Sequence, residues 1–105
     1  MKYFNALDTL PGMVKQGDHF TGKFLLTDNV TVSYWEIEAG FIVQEHQHDY
    51  EGITTVLYGE VEMTINGETR ILTAGMTAFI PSNTPHSGKI ITTCKMMDMT
   101  YPIAR

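Results

Sequence analysis

The stretch Gly40-Phe-Ile-Val-Gln-Glu-His46-Gln-His48 carries two histidines one residue apart, and Gly75-Met-Thr-Ala-Phe-Ile-Pro81-Ser-Asn-Thr-Pro-His86 closes on a third. Alternate residues of a strand point to the same face, so His46 and His48 present their imidazoles side by side. A third imidazole from a distant strand completes a three-nitrogen metal site inside a β structure. Three of the chain's four histidines fall into this arrangement.

Outward from these runs, turn punctuation is frequent: Pro11-Gly12, Gly17-Asp18, Asp28-Asn29, Ala39-Gly40, Tyr58-Gly59, Asn66-Gly67, Ala74-Gly75 and Pro81-Ser-Asn83. Between the turns lie short apolar or alternating runs rich in Val, Ile, Thr, Tyr and Phe, which suit a pleated surface. This spacing is the signature of an all-β sandwich or barrel. Strands are expected at roughly 23–27, 30–38, 42–47, 53–58, 60–65, 68–73, 77–80 and 90–99. Asn66-Gly67 between Val61–Ile65 and Glu68–Leu72 signals a two-residue hairpin of type I′. The sole helical expectation is a turn near Tyr3 to Thr9, so the fold should contain almost no helix.

A chain of 105 residues is the size of one domain, and 43% hydrophobic residues suffice for a core. The net charge of −5, with no basic cluster, argues against nucleic acid as a partner. The single cysteine, Cys94, leaves no internal disulfide and suits a reducing compartment. The opening Met1-Lys-Tyr-Phe-Asn-Ala-Leu-Asp lacks the apolar core of a signal peptide, and no run approaches the ~20 apolar residues of a membrane helix. The expectation is a soluble, cytoplasmic protein without a membrane partner.

With these motifs in register the chain resembles a small single-domain cupin. That resemblance implies a double-stranded β-helix, or jelly-roll barrel, over residues 1–105, with motif one at 40–59 and motif two at 75–90. Gly40, His46, His48 and Gly59 match the first motif, while Gly75, Pro81 and His86 match the second. Asn83 stands where the second motif has Gly, and Ile90 where it has Asn. Fifteen residues separate Gly59 from Gly75, near the family minimum. The stretch Glu60-Val-Glu-Met-Thr-Ile-Asn-Gly-Glu looks like the small pectin-degradation cupins, which act on unsaturated uronates. The family's fourth metal ligand, a Glu or Gln, falls at Gly52. Glu51 is one residue off, and an offset of one turns a strand side chain to the opposite face unless a bulge intervenes. The resemblance therefore implies three ligands, as in thiol dioxygenases of the fold. It also implies a homodimer, because small cupins usually pair and cover their strand edges.

Three neutral imidazoles accept Fe, Mn, Ni, Zn or Cu as one divalent metal and do not choose among them. Without a carboxylate the site stays cationic and open, which favours an anionic or enolate-like ligand. Ile42, Gln44, Tyr50 and Thr54 lie in phase with His46 and His48. Gln44 and Tyr50 are the candidate catalytic groups, and Gln44, Tyr50, Gly52 and Thr54 the candidate substrate-binding positions. Two roles stand open for Gln44, a hydrogen bond to ligand or water and the satisfaction of backbone groups at the barrel mouth. Tyr50 can supply a phenol to the pocket, although such a residue more often packs across that mouth. Glu51 and His19 read as solvated. The methionines of Cys94-Lys-Met96-Met97-Asp-Met99 read as flexible core filler, and Trp35 as core or interface.

Three functional classes follow. The first is a metal-dependent enzyme, a dioxygenase or an isomerase/lyase, acting on a small polar or anionic substrate such as a sugar acid. The second is a non-catalytic module that binds a sugar or organic acid. The third is a structural barrel that holds metal without turnover.

Overall fold

The computed structural model describes residues 3–14 and 19–102. Its strands, in chain order, are β1 (Gly12–Val14), β2 (Phe20–Leu26), β3 (Thr31–Ile37), β4 (Ile42–His46), β5 (Glu51–Tyr58), β6 (Val61–Ile65), β7 (Glu68–Leu72), β8 (Thr77–Ile80), β9 (His86–Ile90) and β10 (Cys94–Tyr101). A 3-10 turn at Leu7–Thr9 is the one helical element among the described residues. The strands form a six-stranded sheet in the order β1-β2-β3-β10-β5-β8 and a four-stranded sheet in the order β4-β9-β6-β7. All pairings among the described residues are antiparallel, as the jelly-roll expectation requires.

The Asn66-Gly67 hairpin forms as expected. Both residues have positive φ, 48° and 81°, which a type I′ turn requires, and β6 pairs β7 from Ile65↔Glu68 outward. The Gly17-Asp18 turn lies outside the described residues. Strand β2 starts earlier than expected, and β1 adds an edge strand beside it.

One expected strand, 90–99, is divided. His86–Ile90 belongs to the four-stranded sheet and Cys94–Tyr101 to the six-stranded one. The β-branched run Ile90-Ile91-Thr92-Thr93 gives no local signal for a break. The break is made by tertiary contact with the turn after β5. The Ile91 and Thr92 amides donate to the Glu60 carbonyl at 3.0 and 3.3 Å, and the Glu60 amide donates to Thr92 Oγ1 at 2.9 Å. Gly59 sits at φ 87°, and a Cβ there would collide with the Thr93 carbonyl oxygen. The two turns dock only because Gly59 has no side chain.

Alternation along the strands divides the interior into two zones. Val56, Val61, Leu72 and Cys94 plug one end, each at most 4% exposed. Burying each such side chain contributes roughly 1.5–3 kcal/mol. The Cys94 thiol lies 3.2 Å from the Glu60 carbonyl oxygen, and burial pushes its pKa up. It is packing, not a nucleophile. Met96 joins this core, whereas Met99 points outward at 37% exposure. Trp35 stands above the plug, edge-on to Phe20 and Phe24 with centroids 5.5 Å away in each case. Beyond it the barrel opens into a cavity of about 530 Å³.

Candidate metal centre

The three histidines meet at this cavity. His46 ends β4, His48 follows it, and His86 opens β9 directly opposite His46 in the ladder. One ring nitrogen from each lies within 4.8 Å of the others. Ring centroids are 4.2 Å apart for His46–His86, 4.7 Å for His46–His48 and 4.9 Å for His48–His86. The rings are oriented by backbone. His46 Nδ1 donates to the Gln44 carbonyl at 2.7 Å, and His86 Nδ1 to the Thr84 carbonyl at 2.9 Å. A carbonyl only accepts, so Nδ1 carries the proton and Nε2 is left with its lone pair. Such carbonyl-held imidazoles are the arrangement that metal ligands adopt. Burial, followed by the neighbouring imidazoles, lowers the pKa of His48. Burial is also the largest cause of the lowering at His86. The lowered pKa values of His48 and His86 favour the neutral imidazoles that a divalent cation binds.

Asn83 explains one departure from the second motif. Its φ is 56°, in the left-handed region where Asn substitutes for Gly at little cost. Its amide donates to the His48 carbonyl, tying the turn before His86 to the loop that carries His48.

The remaining candidates separate. Tyr50, Gly52 and Thr54 line the cavity. The Tyr50 ring lies 4.5 Å from His48, and burial, then Asp49 and Asp98, raises its pKa. Gly52 leaves room for a side chain, since a Cβ would make only ordinary contacts at 3.6 and 3.7 Å. Gln44 does not line this cavity. The β4–β9 register shifts between Val43 and His46, and the exposed Gln44 side chain borders a separate outer recess with Glu45, Glu62 and Lys89. The shift breaks the strict alternation that put Gln44 in phase with His46. Glu51 is exposed and pairs regularly with Tyr101, with no bulge to turn it inward. His19 stands apart, its Nδ1 3.3 Å from Glu38 Oε2 on the surface.

Sequence reasoning missed Asp98. It faces the cavity from the centre of β10, opposite Thr54 on one side and Ser33 on the other. Burial pushes its carboxyl pKa up, against hydrogen bonds from Thr54 and Trp35. Oδ1 is buried with no hydrogen-bond partner. The signal was present in the alternation Cys94, Met96, Asp98, Thr100, which places a carboxylate in the inward phase of an otherwise apolar and hydroxyl-bearing strand. A buried carboxyl with a raised pKa and three clustered imidazoles thus line one cavity.

The family model described as Cupin domain matches residues 33–100. Comparison with curated proteins gives no match. Among solved structures, KdgF from a Halomonas species is similar with TM-score 0.87 and 22% identity, covering 97% of this chain and 95% of that one. An RmlC-like cupin from Shewanella frigidimarina gives TM-score 0.88 at 21% identity, with 100% and 94% covered. Oxalate decarboxylase from Bacillus subtilis, a protein with Mn(II) centres, gives TM-score 0.79 at 16% identity, and its match covers 93% of this chain but 29% of that one. At these identities the likeness is one of fold.

Proposed function

Because this chain belongs to the cupin family, we propose that it is a metal-dependent isomerase or lyase acting on a small sugar acid, with His46, His48 and His86 holding one divalent metal. The observation that carries the reading is the pairing of the three histidines with the buried carboxyl of Asp98 across one cavity. A volume of about 530 Å³ lies within the range of small-ligand sites. Bound at the histidines, the metal supplies Lewis-acid polarisation of a substrate oxygen.

The chain's own residues divide the rest. The histidines, held by the Gln44 and Thr84 carbonyls, keep their rings aimed without the substrate's help. Gly52 leaves the position beside them free for a substrate oxygen. Tyr50, kept protonated by its raised pKa, donates a hydrogen bond at the mouth. Asp98, held by Thr54 and Trp35, takes a proton from the substrate and returns it. Proton shuttling is what an isomerisation or ring-opening elimination needs. The buried Asp98 carboxyl supports the isomerase/lyase branch, and the resemblance of Glu60-Val-Glu-Met-Thr-Ile-Asn-Gly-Glu to the pectin-degradation cupins supports an unsaturated uronate as substrate class. The family habit supports a homodimer.

The test is to incubate metal-loaded protein with an unsaturated monouronate, following its ultraviolet absorbance and dissolved oxygen together. Loss of absorbance without oxygen uptake, abolished by His86→Ala and Asp98→Asn, is expected. Oxygen uptake would move the protein to the dioxygenase branch. Ligand binding with no turnover would make it a non-catalytic binding module.

A further inference from the structure

On β2 the inward residues Phe20, Gly22 and Phe24 form a slot, and the indole of Trp35 occupies it. Gly22 is the register partner of Trp35. A Cβ on Gly22 would lie 2.6, 2.8 and 3.0 Å from Cζ3, Cε3 and Cη2 of the indole. The benzene half of the indole therefore rests on the Gly22 backbone. Phe20 and Phe24 flank it edge-on, with ring centroids 5.5 Å away in each case. From β10, Asp98 accepts a hydrogen bond from Trp35, whose side chain has the indole N–H as its donor. A rigid ring system held from two strands in this way has a single seat.

That seat shapes the cavity. Phe20, Phe24 and Trp35 line it and are half-buried, so each keeps surface that a ligand reaches. A side chain on Gly22 would lift the indole off β2 and into the cavity, because a rigid ring cannot absorb three such contacts. Beside Gly52, Thr100 offers its methyl, with Cγ2 3.7 Å from the position of a Gly52 Cβ, while its hydroxyl oxygen is enclosed. The wall that meets a ligand here is thus aromatic and apolar. A ring flattened by a double bond covers such a wall through dispersion and through its C–H groups against the negative aromatic face.

We propose that Trp35, seated on Gly22 between Phe20 and Phe24, is the surface against which the ring of the acid substrate packs, and that Gly22 sets the size of ring the cavity admits. This inference rests on the sugar-acid reading above and adds the residues that hold the ring while the carboxylate lies at the histidines.

The chain holds one tryptophan, so its fluorescence reports this wall alone. The Zn(II)-loaded protein is titrated, by calorimetry and by fluorescence, with two acids. One is 3,4-dihydro-2H-pyran-6-carboxylate, which keeps the unsaturated ring and carboxylate of an unsaturated uronate but has no hydroxyl through which to open. The other is acetate, which keeps the carboxylate alone. The ring acid should bind about tenfold more tightly than acetate, as a ring packed on an aromatic wall requires, and should change the Trp35 emission, which acetate should leave unmoved. Gly22→Ala should retain the metal, weaken the ring acid about tenfold and leave acetate within about twofold. Trp35→Phe removes the ring atoms that a methyl on Gly22 would strike. Added to Trp35→Phe, the Gly22→Ala change should therefore weaken the ring acid by less than about threefold, which shows the two positions to be coupled. Equal weakening of both acids by Gly22→Ala, or an undiminished effect in the Trp35→Phe background, overturns the slot. Binding of the ring acid with the Trp35 emission unmoved overturns it on the unaltered protein, whether or not Gly22→Ala folds. In each of these cases turnover of the unsaturated uronate leaves the proposed function standing. If neither acid binds and the uronate is not turned over, both fall.

Discussion

At Gly52 the strand backbone passes beside the histidines and offers nothing. A side chain there meets only ordinary contacts, so Gly52→Glu should fold and reach the metal. The expected outcome is slower metal loss to a chelator together with weaker binding of anionic ligands, since one open position and one positive charge are lost. Glu51→Ala should do neither. Glu51 is exposed on the opposite face, and its removal should change stability by no more than ~0.5 kcal/mol and leave metal affinity unmoved in a titration. Asp98 adds a pH signature. Its folded pKa is raised, so the folded state binds that proton more tightly than the unfolded chain. The resulting penalty is absent below the unfolded value of about 3.9 and complete above the raised folded value. Asp98→Asn should therefore raise Tm at neutral pH, with the gain shrinking as pH falls toward the unfolded value. A gain independent of pH across that window would contradict the burial of an ionised carboxyl. Loss of turnover together with gained stability is the outcome expected on the proposed proton-transfer role.

At the scale of elements, the motif glycines are not equivalent. Gly40, Gly59 and Gly75 all have φ near 90°, so Ala at any of them meets the left-handed backbone cost of ~1–2 kcal/mol. Around Gly40 and Gly75 the space is open, whereas at Gly59 a Cβ strikes the Thr93 carbonyl in the crossover between β9 and β10. Gly59→Ala should cost ~3 kcal/mol or more, because overpacking adds to the backbone term. Chemical denaturation of the three variants checks the order. Equal losses would mean that the two turns do not dock as described.

For the whole molecule, the outer face of the six-stranded sheet bears on association. Phe79, Ile53 and Met99 are register neighbours across β8, β5 and β10, exposed at 56%, 45% and 37%. This contiguous apolar row on a sheet face is where the proposed homodimer would pair. Light scattering is expected to give twice the chain mass of 11.8 kDa, and Ile53→Lys to return it to the single mass with the fold retained. A single mass for the unaltered protein at micromolar concentration would remove the homodimer.

The sequence by itself was enough for the β class, the Asn66-Gly67 hairpin and the three histidines, because turn chemistry, period-two alternation and a two-residue histidine spacing are local properties of the chain. The same alternation puts Tyr50 and Thr54 in phase with His46 and His48 and Glu51 out of phase; Tyr50 and Thr54 line the cavity, and Glu51 is exposed. Alternation misplaced Gln44, because a register shift is set by the partner strand β9 and leaves no mark on β4 itself. It joined 90–99 into one strand, because the break depends on the distant Gly59-Glu60 turn that captures Ile91 and Thr92. Alternation along β10 puts Asp98 in the inward phase, but its burial between β3 and β5 is decided only by the packing of the sheet. A lone aspartate in a methionine-rich strand has no chemistry of its own, and acquires one from the burial and the opposing histidines that folding alone supplies.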